Sequence, residues 1–90
     1  MILYRIYTED KNREKIEQYA SEFLEGFTIL TGVGHWRGRP EQCLIIEVLG
    51  SEANRDNVLR IASRIKTRNK QDSVAVTEQE VKTYVIGEKI

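Results

Sequence analysis

The chain is nearly devoid of the residues from which small domains build disulfides and metal sites. It contains one cysteine, Cys43, and one histidine, His35. A single cysteine excludes an intrachain disulfide, and one His with one Cys cannot supply the ligands of a zinc site. A chain of 90 residues buries a comparatively small share of its surface, so its core alone gives marginal stability. Self-association is therefore the expected supplement, and no metal or cofactor is expected.

An excess of charge of one sign is also missing, because the 14 basic and 14 acidic side chains cancel. A protein that binds nucleic acid through its phosphates needs a basic surface, so no sequence-specific nucleic-acid partner is expected. The chain has no apolar run near the roughly 20 residues of a membrane span, and no segment typical of an export signal. Together with the lone thiol, these absences predict a cytoplasmic protein without a membrane partner.

Hydrophobic periodicity divides the chain into strands and helices. Runs of β-branched and aromatic residues predict strands, and apolar residues spaced three and four apart predict helices. In chain order, we expect a strand at 2–8, a helix at about 10–25, strands at 27–36 and 43–49, a helix at about 54–68 and a strand at 73–86. Residues 37–42 are expected to form the turn of a β-hairpin.

This element order predicts a single α+β domain over residues 1–90. The order β-α-β-β-α-β is the ferredoxin-like arrangement, an antiparallel sheet with two helices on one face. The last strand-like segment, 73–86, is long for so small a sheet. It should bend near residues 78–80 or continue as an extra C-terminal strand that pairs with a neighbouring subunit. The other face of the sheet needs a cover, which association of copies into dimers or trimers would supply.

Residues 31–40, TGVGHWRGRP, concentrate unusual residues. They hold three of the six glycines, the only Trp, His and Pro, and two arginines. Glycine lets backbone N–H groups approach an anion, arginine makes two-pronged contacts with phosphate, and tryptophan offers a plane for a base. The predicted ligand contacts are therefore Gly34, His35, Trp36, Arg37 and Arg39. In the alternative interpretation, the glycines shape a hairpin, the tryptophan caps the core and the arginines are solvated.

Polar residues elsewhere carry weaker signals. Gln71 and Ser73 precede the last strand and could hydrogen-bond a ligand at a cleft between subunits, although both are ordinary turn residues. His35 and Cys43 could face each other across the hairpin as a base and a nucleophile. Cys43 opens an apolar strand, however, and is expected to be a small buried hydrophobic side chain.

The two helices carry opposite charge. Residues 9–25 contain six acids and three bases, whereas residues 51–70 contain six bases and two acids. Arg60, Arg64 and Arg68 recur at every fourth position, on one helical face away from the core stripe. We expect the acidic helix to lie beside the basic one and to pair with it. A basic face that recognises an anionic partner, and a subunit contact, are the alternatives.

Two segments resemble the PII-like superfamily, which includes the PII signalling proteins and the copper-tolerance trimers. They are GFTILTGVGHWRG at 26–38 and IASRIKTRNKQDSVAVTEQEV at 61–81. The resemblance implies a trimer that binds small molecules, often nucleotides, in clefts between subunits. PII signalling proteins carry a long partner-binding loop in this hairpin, and the connection at 37–42 is too short for one. An uncharacterised bacterial group with a G-x-W hairpin and a Gln before the last strand is similar too, and implies no activity.

Three functions are compatible with these observations. The first is a non-enzymatic homo-oligomer, a homotrimer or another symmetric assembly, that senses or sequesters a nucleotide or another small anionic ligand between its subunits. The second is a protein-protein interaction module that uses its sheet edge or its basic helix face. The third is a small enzyme of the dimeric α+β barrel type that uses His35 and Glu47. Otherwise Glu47 is expected to pair with an arginine such as Arg5 at an outward or interfacial position.

Overall fold

The structure is a computed structural model that describes residues 1–87, and it contains one four-stranded sheet and two α-helices. The elements are β1 (Ile2–Glu9), α1 (Arg13–Phe23), β2 (Thr28–Trp36), β3 (Arg39–Gly50), a short 3-10 turn (Glu52–Asn54), α2 (Arg55–Arg68) and β4 (Ala75–Glu80). The strand order is β2-β3-β1-β4, and all neighbouring strands are antiparallel. This order confirms the ferredoxin-like α+β fold.

The core lies between the helices and one face of the sheet, here called the helix-side face. Alternation along the strands sends every second side chain to this face. The predicted stripes of both helices pack against it, and the two helices also contact each other. The buried apolar side chains are Tyr4, Ile6, Ile16, Tyr19, Ala20, Leu24, Leu44, Ile46, Val48, Val58, Ile61, Ala62 and Ile65.

Helix α1 is shorter than the expected span of about 10–25. It begins after Asn12, whose φ of 56° places it in the left-handed region, and it ends at Phe23. Leu24 leaves the helix in an extended conformation and remains only 8% exposed, so its side chain still belongs to the core. The apolar stripe therefore predicted too long a helix, because it includes Leu24, whose side chain is buried although its backbone is extended. Neither helix of residues 1–87 is long and apolar enough to cross a membrane.

The hairpin between β2 and β3 is tighter than expected. Its turn consists of Arg37 and Gly38 alone, with φ of 50° and 77°, and Trp36 pairs directly with Arg39. Positive φ at both turn residues is the conformation that matches the twist of a two-residue hairpin. The expected six-residue turn at 37–42 is therefore wrong, and β3 begins at Arg39. Residues 39–42 are all exposed, so their sequence lacks the alternation of apolar and polar residues that would indicate a strand.

The C-terminal strand is also shorter than the expected 73–86. The last register pair joins Glu80 to Ile2, and one more pair of backbone hydrogen bonds joins Val81 to Met1 at 2.9 and 3.1 Å. Beyond Val81, the structure forms no further pairing with β1. Residues 81–86 accordingly form no strand in the described part of the chain, and the extra C-terminal strand is absent from it. Pairing of this segment with a neighbouring subunit stays a prediction.

An ion pair joins the start of α2 to the edge strand β4. Arg55 donates two hydrogen bonds to the Glu78 carboxylate, Nε to Oε1 at 2.8 Å and Nη2 to Oε2 at 2.7 Å. These hydrogen bonds and the positive charge of Arg55 hold the pKa of Glu78 below its usual value. Both side chains are about two-fifths exposed, at 39% and 43%, so the pair makes only a modest contribution to stability.

Replacing Glu78 by Gln is therefore expected to lower the melting temperature slightly at neutral pH. A carboxyl group whose pKa is depressed on folding stabilises the fold above its unfolded pKa of about 4.3, and loses that contribution as pH falls through the folded pKa. The difference between wild type and E78Q should thus disappear in acid, as measured by thermal melts between about pH 3 and pH 7. Glu80→Gln on the same strand is the control. An equal loss in E80Q, or a gap that persists in acid, would contradict the assignment.

Candidate functional site at the hairpin arm

Strands β2 and β3 continue beyond the rest of the sheet as a two-stranded ribbon. The pairing of β1 with β3 ends at Glu9 and Cys43, whereas β2 and β3 stay paired out to Trp36 and Arg39. Residues 33–42 therefore form a projection, here called the hairpin arm. Because no third strand flanks these ten residues, all of them are exposed except Gly34, which is partly buried. At the base of the arm, the Asp10 N–H donates to the Gln42 carbonyl at 3.1 Å.

The tip of the arm presents an exposed aromatic ring together with two arginines. Trp36 is 66% exposed, and the guanidinium carbon of Arg37 lies 5.5 Å from the centroid of its ring. Arg39 is the cross-strand partner of Trp36 and shares its face of the ribbon. Trp36 does not cap the core, so that part of the structural alternative is wrong. A cation–π contact of this kind orients the guanidinium while leaving its donors free for an anion.

The open face of the sheet lies opposite the helices and is partly apolar. By the strand register it carries Leu3, Arg5, Tyr7, Leu30, Gly32, Cys43, Ile45, Glu47, Leu49, Ala75, Thr77 and Gln79. Its largest apolar side chains are only half buried, with Tyr7 at 37%, Leu49 at 38% and Leu30 at 42% exposure. Trp36 and Arg39 belong to the same side, because side chains alternate along each strand. The arm therefore aims its aromatic plane toward the side of the sheet that the helices leave uncovered.

Glu47 lies in the middle of the open face and pairs with Arg5. The two residues are cross-strand partners, and Arg5 Nε donates to Glu47 Oε2 at 2.9 Å. This pairing confirms the interpretation of Glu47 as an outward residue with an arginine partner. The hydrogen bond to this carboxylate holds the pKa of the Arg5 guanidinium above its usual value, so Arg5 keeps its positive charge near neutral pH.

The glycines of the arm shape its backbone. Gly32 lies opposite Cys43, and a Cβ on it would lie 3.3 Å from the Cys43 Sγ. The space that Gly32 leaves is thus taken by a side chain of the same chain, and the register is unbroken. Gly34 is less constrained, because a Cβ there would meet only the Glu41 carbonyl oxygen at 3.9 Å. Of the two, Gly34 has the more open surroundings, although its backbone is paired with Glu41 in the ribbon.

His35 does not meet either residue that was considered as its catalytic partner. His35 pairs with Pro40 on the helix-side face of the ribbon, whereas Cys43 pairs with Gly32 on the open face. The proposed dyad of His35 and Cys43 is therefore wrong. Glu47 likewise lies on the open face, seven register positions along the ribbon from Pro40. The geometry thus gives no support to an enzyme built on His35 and Glu47.

Gln71 and Ser73 lie at the base of the arm, in the connection from α2 to β4. Gln71 is 6% exposed, its Nε2 donates to Thr8 Oγ1 at 2.8 Å, and its Oε1 accepts from the Glu9 N–H at 3.3 Å. Gln71 therefore fastens the connection from α2 to β4 to the end of β1, beside the base of the arm. Ser73 is exposed beside it. The structure brings the two residues to the same end of the sheet as the arm, and Gln71 there has a structural role in a single chain.

A second fastening at this end was not predicted from the sequence. Asn69 is 2% exposed and its Nδ2 donates to the Lys11 carbonyl at 2.8 Å, while Asn12 Nδ2 donates to Asn69 Oδ1 at 3.1 Å. Lys11 Nζ donates to the Asn69 carbonyl at 2.8 Å. The only sequence signal is a pair of asparagines at the ends of two helical patterns. This network ties the connection from β1 to α1 to the connection from α2 to β4, at the end of the sheet from which the arm projects.

The cavities of a single chain do not coincide with the arm. A wide groove of about 800 Å³ lies at the opposite end of the sheet, between the connection from α1 to β2 and the end of β3. A shallower groove of about 580 Å³ runs along α2. Among residues 1–87, no three side chains of the metal-ligating types lie close enough together to hold an ion.

Comparisons by sequence find no relatives. No protein-family model matches the chain, and no curated protein matches it. Comparison of structures finds several. A DUF3240 family protein from Shewanella baltica OS155 superposes with a TM-score of 0.74 at 15% identity, covering 97% of this chain and 96% of that one. The de novo designed protein Foldit4 superposes with a TM-score of 0.54 at 21% identity, covering 90% and 96%.

The third similar structure is CPII, a nitrogen regulatory PII-like protein from Thiomonas intermedia K12, described as bound to ADP, AMP and bicarbonate. It superposes with a TM-score of 0.64 at 15% identity, covering 99% of this chain and 94% of that one. At such low identity the likeness concerns the fold alone, and a designed protein that shares the architecture illustrates that a fold does not fix a function. With this limit, the resemblance noted in the sequence is confirmed: the chain has a PII-like, ferredoxin-like fold.

Proposed function

We propose that the protein is a non-enzymatic, symmetric homo-oligomer that binds a small anionic ligand, a nucleotide or nucleotide second messenger, in clefts between its subunits. The observation that carries this proposal is the tip of the hairpin arm. There Trp36, Arg37 and Arg39 combine an exposed ring with two guanidinium groups, on the side of the sheet that the helices leave open.

The tip matches the two chemical parts of a nucleotide. A base stacks on an aromatic face, and Trp36 has its ring largely in solvent with Arg37 over one face. A guanidinium group binds two phosphate oxygens at once through charge-assisted hydrogen bonds. Arg37, over the ring, and Arg39, the cross-strand partner of Trp36, supply two such groups. Gly34 and His35 lie two residues and one residue before Trp36 and are further candidate contacts along the ribbon, with His35 on its opposite, helix-side face.

Assembly would complete the site. The open face exposes Tyr7, Leu30 and Leu49 around the Arg5–Glu47 pair, and a second copy of the chain would cover such a surface. The arm extends beyond its own sheet on the same side, so it would reach over the adjoining copy. The base of a neighbouring arm, with the exposed Ser73, is the polar surface that it would meet. A homotrimer is one closed arrangement that satisfies these contacts.

The short turn limits how such a protein would act. Arg37 and Gly38 alone connect β2 to β3, so this hairpin offers no long loop with which to engage a regulated partner. Sequestration needs only tight binding of the ligand, and a sensor could signal through the bound assembly. The PII-like neighbour described with ADP and AMP supports nucleotide as the first ligand class to test, on the basis of shared fold.

A thermal-shift screen with mono-, di-, tri- and cyclic nucleotides tests the proposal directly. A ligand that binds only the folded state at a hundred times its Kd stabilises by about 2.7 kcal/mol. For a domain of this size that corresponds to a rise in melting temperature of roughly 10–20 °C. Arg39→Gln should weaken binding by about tenfold to a hundredfold, because it removes a charge-assisted contact with phosphate.

The matched control is Lys82→Gln, which removes one positive charge from an exposed residue away from the arm. Its affinity for the same nucleotide should equal that of the wild type. No shift with any nucleotide at about 1 mM would refute nucleotide binding of useful affinity. Equal losses in R39Q and K82Q would show that the arm is not the site.

A further inference from the structure

The outer surface of α2 has two parallel rows of side chains. Arg60, Arg64 and Arg68 form one row at every fourth residue, and Leu59, Ser63 and Thr67 form the adjacent row. The first row is long and cationic, whereas the second is made of shorter side chains. A shallow groove of about 580 Å³ runs along the helix and is lined by these six residues together with Asp56, one turn before Arg60.

The central arginine of the row is fixed by contacts with α1. Arg64 Nη1 donates to Glu22 Oε2 at 2.5 Å, and its guanidinium carbon lies 5.1 Å from the ring centroid of Phe23 and 5.7 Å from that of Tyr19. This contact confirms that the acidic and basic helices lie side by side and pair. It accounts for one arginine of the three and holds one wall of the groove in place.

The two outer arginines have no such partner. Arg60 and Arg68 are exposed, and neither lies within ion-pair distance of a carboxylate of residues 1–87. Arg68 sits in the last turn of α2, where a cation is favourable beside the free carbonyl groups. Arg60 is in the middle of the helix and gains nothing from that effect. Leu59 beside it is 46% exposed, an apolar side chain in the floor of a cationic groove.

We propose that this face of α2 docks an acidic, amphipathic helix of a partner protein. Rows of side chains at every fourth residue are the ridges that helices interlock when they pack, and the groove between the two rows is the complement of such a ridge. Residues four apart on a helix lie about 5–6 Å from each other, so glutamates at every fourth position of the partner match Arg60 and Arg68 across the groove. Leu59 supplies an apolar contact for the hydrophobic face of such a helix.

Two other occupants fit the surface less well. Nucleic acid would gain from the arginines, but a chain with equal numbers of acids and bases lacks the wider basic surface that phosphate backbones require, and Leu59 and Thr67 would add nothing. Helix α1 of a second copy is a weaker fit, because its Glu22 is already bonded to Arg64 of its own chain and its first turn carries Arg13 and Lys15. The helices lie on the side of the sheet away from the open face, so the groove stays accessible when copies associate there.

The test uses the assembled wild-type protein and two synthetic helical peptides. One peptide has glutamates at three positions spaced by four beside a ridge of alanine and leucine, and the other has glutamines in their place. Fluorescence anisotropy at low salt should show binding of the glutamate peptide and at least about tenfold weaker binding of the glutamine peptide. Arg60→Glu with Arg68→Glu should weaken glutamate-peptide binding by about tenfold or more, and restore binding of a lysine version.

The matched control is Lys15→Glu with Lys82→Glu, which makes the same change of charge away from the groove. It should keep the wild-type affinity, and so should R39Q, which separates this surface from the nucleotide proposal. Leu59→Ser should weaken binding without affecting the fold. Equal binding of both peptides, or equal loss in the control, would overturn the proposal. So would tighter binding of a single-stranded oligonucleotide with the same variant dependence, or a change of oligomeric mass in the R60E and R68E double variant.

Discussion

Replacing Ile46 by Ala is expected to lower the free energy of unfolding by about 2–5 kcal/mol. Ile46 is fully buried on the central strand β3, with Ile6 and Ile29 as its cross-strand neighbours on the helix-side face. Removing its outer carbons loses their transfer free energy and leaves a cavity between the sheet and the helices. For a small domain whose total stability is about 5–15 kcal/mol, such a change removes a large part of it.

Urea unfolding at one fixed subunit concentration measures this effect, because the stability of an oligomer depends on concentration. The control is Leu59→Ala, which shortens a side chain that is 46% exposed on α2. It should change the free energy of unfolding by less than about 0.5 kcal/mol. If I46A were as mild as L59A at equal m-value, Ile46 would not lie in a tightly packed core.

The sequence predicted the structure well wherever burial of one face gives the chain a regular hydrophobic period. Both helices and the inner parts of all four strands place apolar residues on one face, and the structure buries those faces together. The acidic and basic helices were also predicted as neighbours, since charge composition along each helix indicates what lies beside it. Glu47 was predicted to need an arginine because a carboxylate inside an apolar run requires a partner, and Arg5 lies directly across from it.

Two of the misjudged segments, the turn at 37–42 and the strand at 73–86, share a physical cause. In residues 39–42 a strand forms by pairing with β2 in an exposed ribbon, so no side chain is buried and no alternation results. In residues 81–86 strand-forming side chains are present, yet no backbone in the described part of the chain pairs with them beyond Val81. Strand propensity describes side chains, whereas a strand exists only when another backbone is available.

The candidate site was predicted in part for a similar reason. The tip residues are adjacent in sequence, and the two-residue turn brings Trp36 and Arg39 together as local geometry requires. Gln71, in contrast, is bonded to Thr8, which lies 63 residues earlier in the chain. A hydrogen bond across that distance depends on the whole topology, so a turn residue and a buried fastening look alike in the sequence.

Replacing Ile45 by Glu is expected to dissociate the proposed oligomer into folded monomers. Ile45 lies at the centre of the open face, between Tyr7 and Leu30 on the adjacent strands and two residues from Glu47. A carboxylate buried between copies without a partner costs several kcal/mol in each interface, and Glu47 would repel it. Because the proposed cleft needs two copies, nucleotide binding should be lost together with the assembly.

Native mass spectrometry and analytical ultracentrifugation report the assembly, and circular dichroism reports whether the monomer stays folded. The matched control is Gln18→Glu, which adds the same charge to an exposed position of α1, on the other side of the sheet. It should keep the wild-type mass and the wild-type nucleotide affinity. A monomeric wild type at micromolar concentration, or an I45E variant that retains the full assembly, would show that copies do not associate through the open face. A monomeric I45E that still binds nucleotide at full strength would instead place the whole site on one chain, since the arm would then need no neighbour to close against.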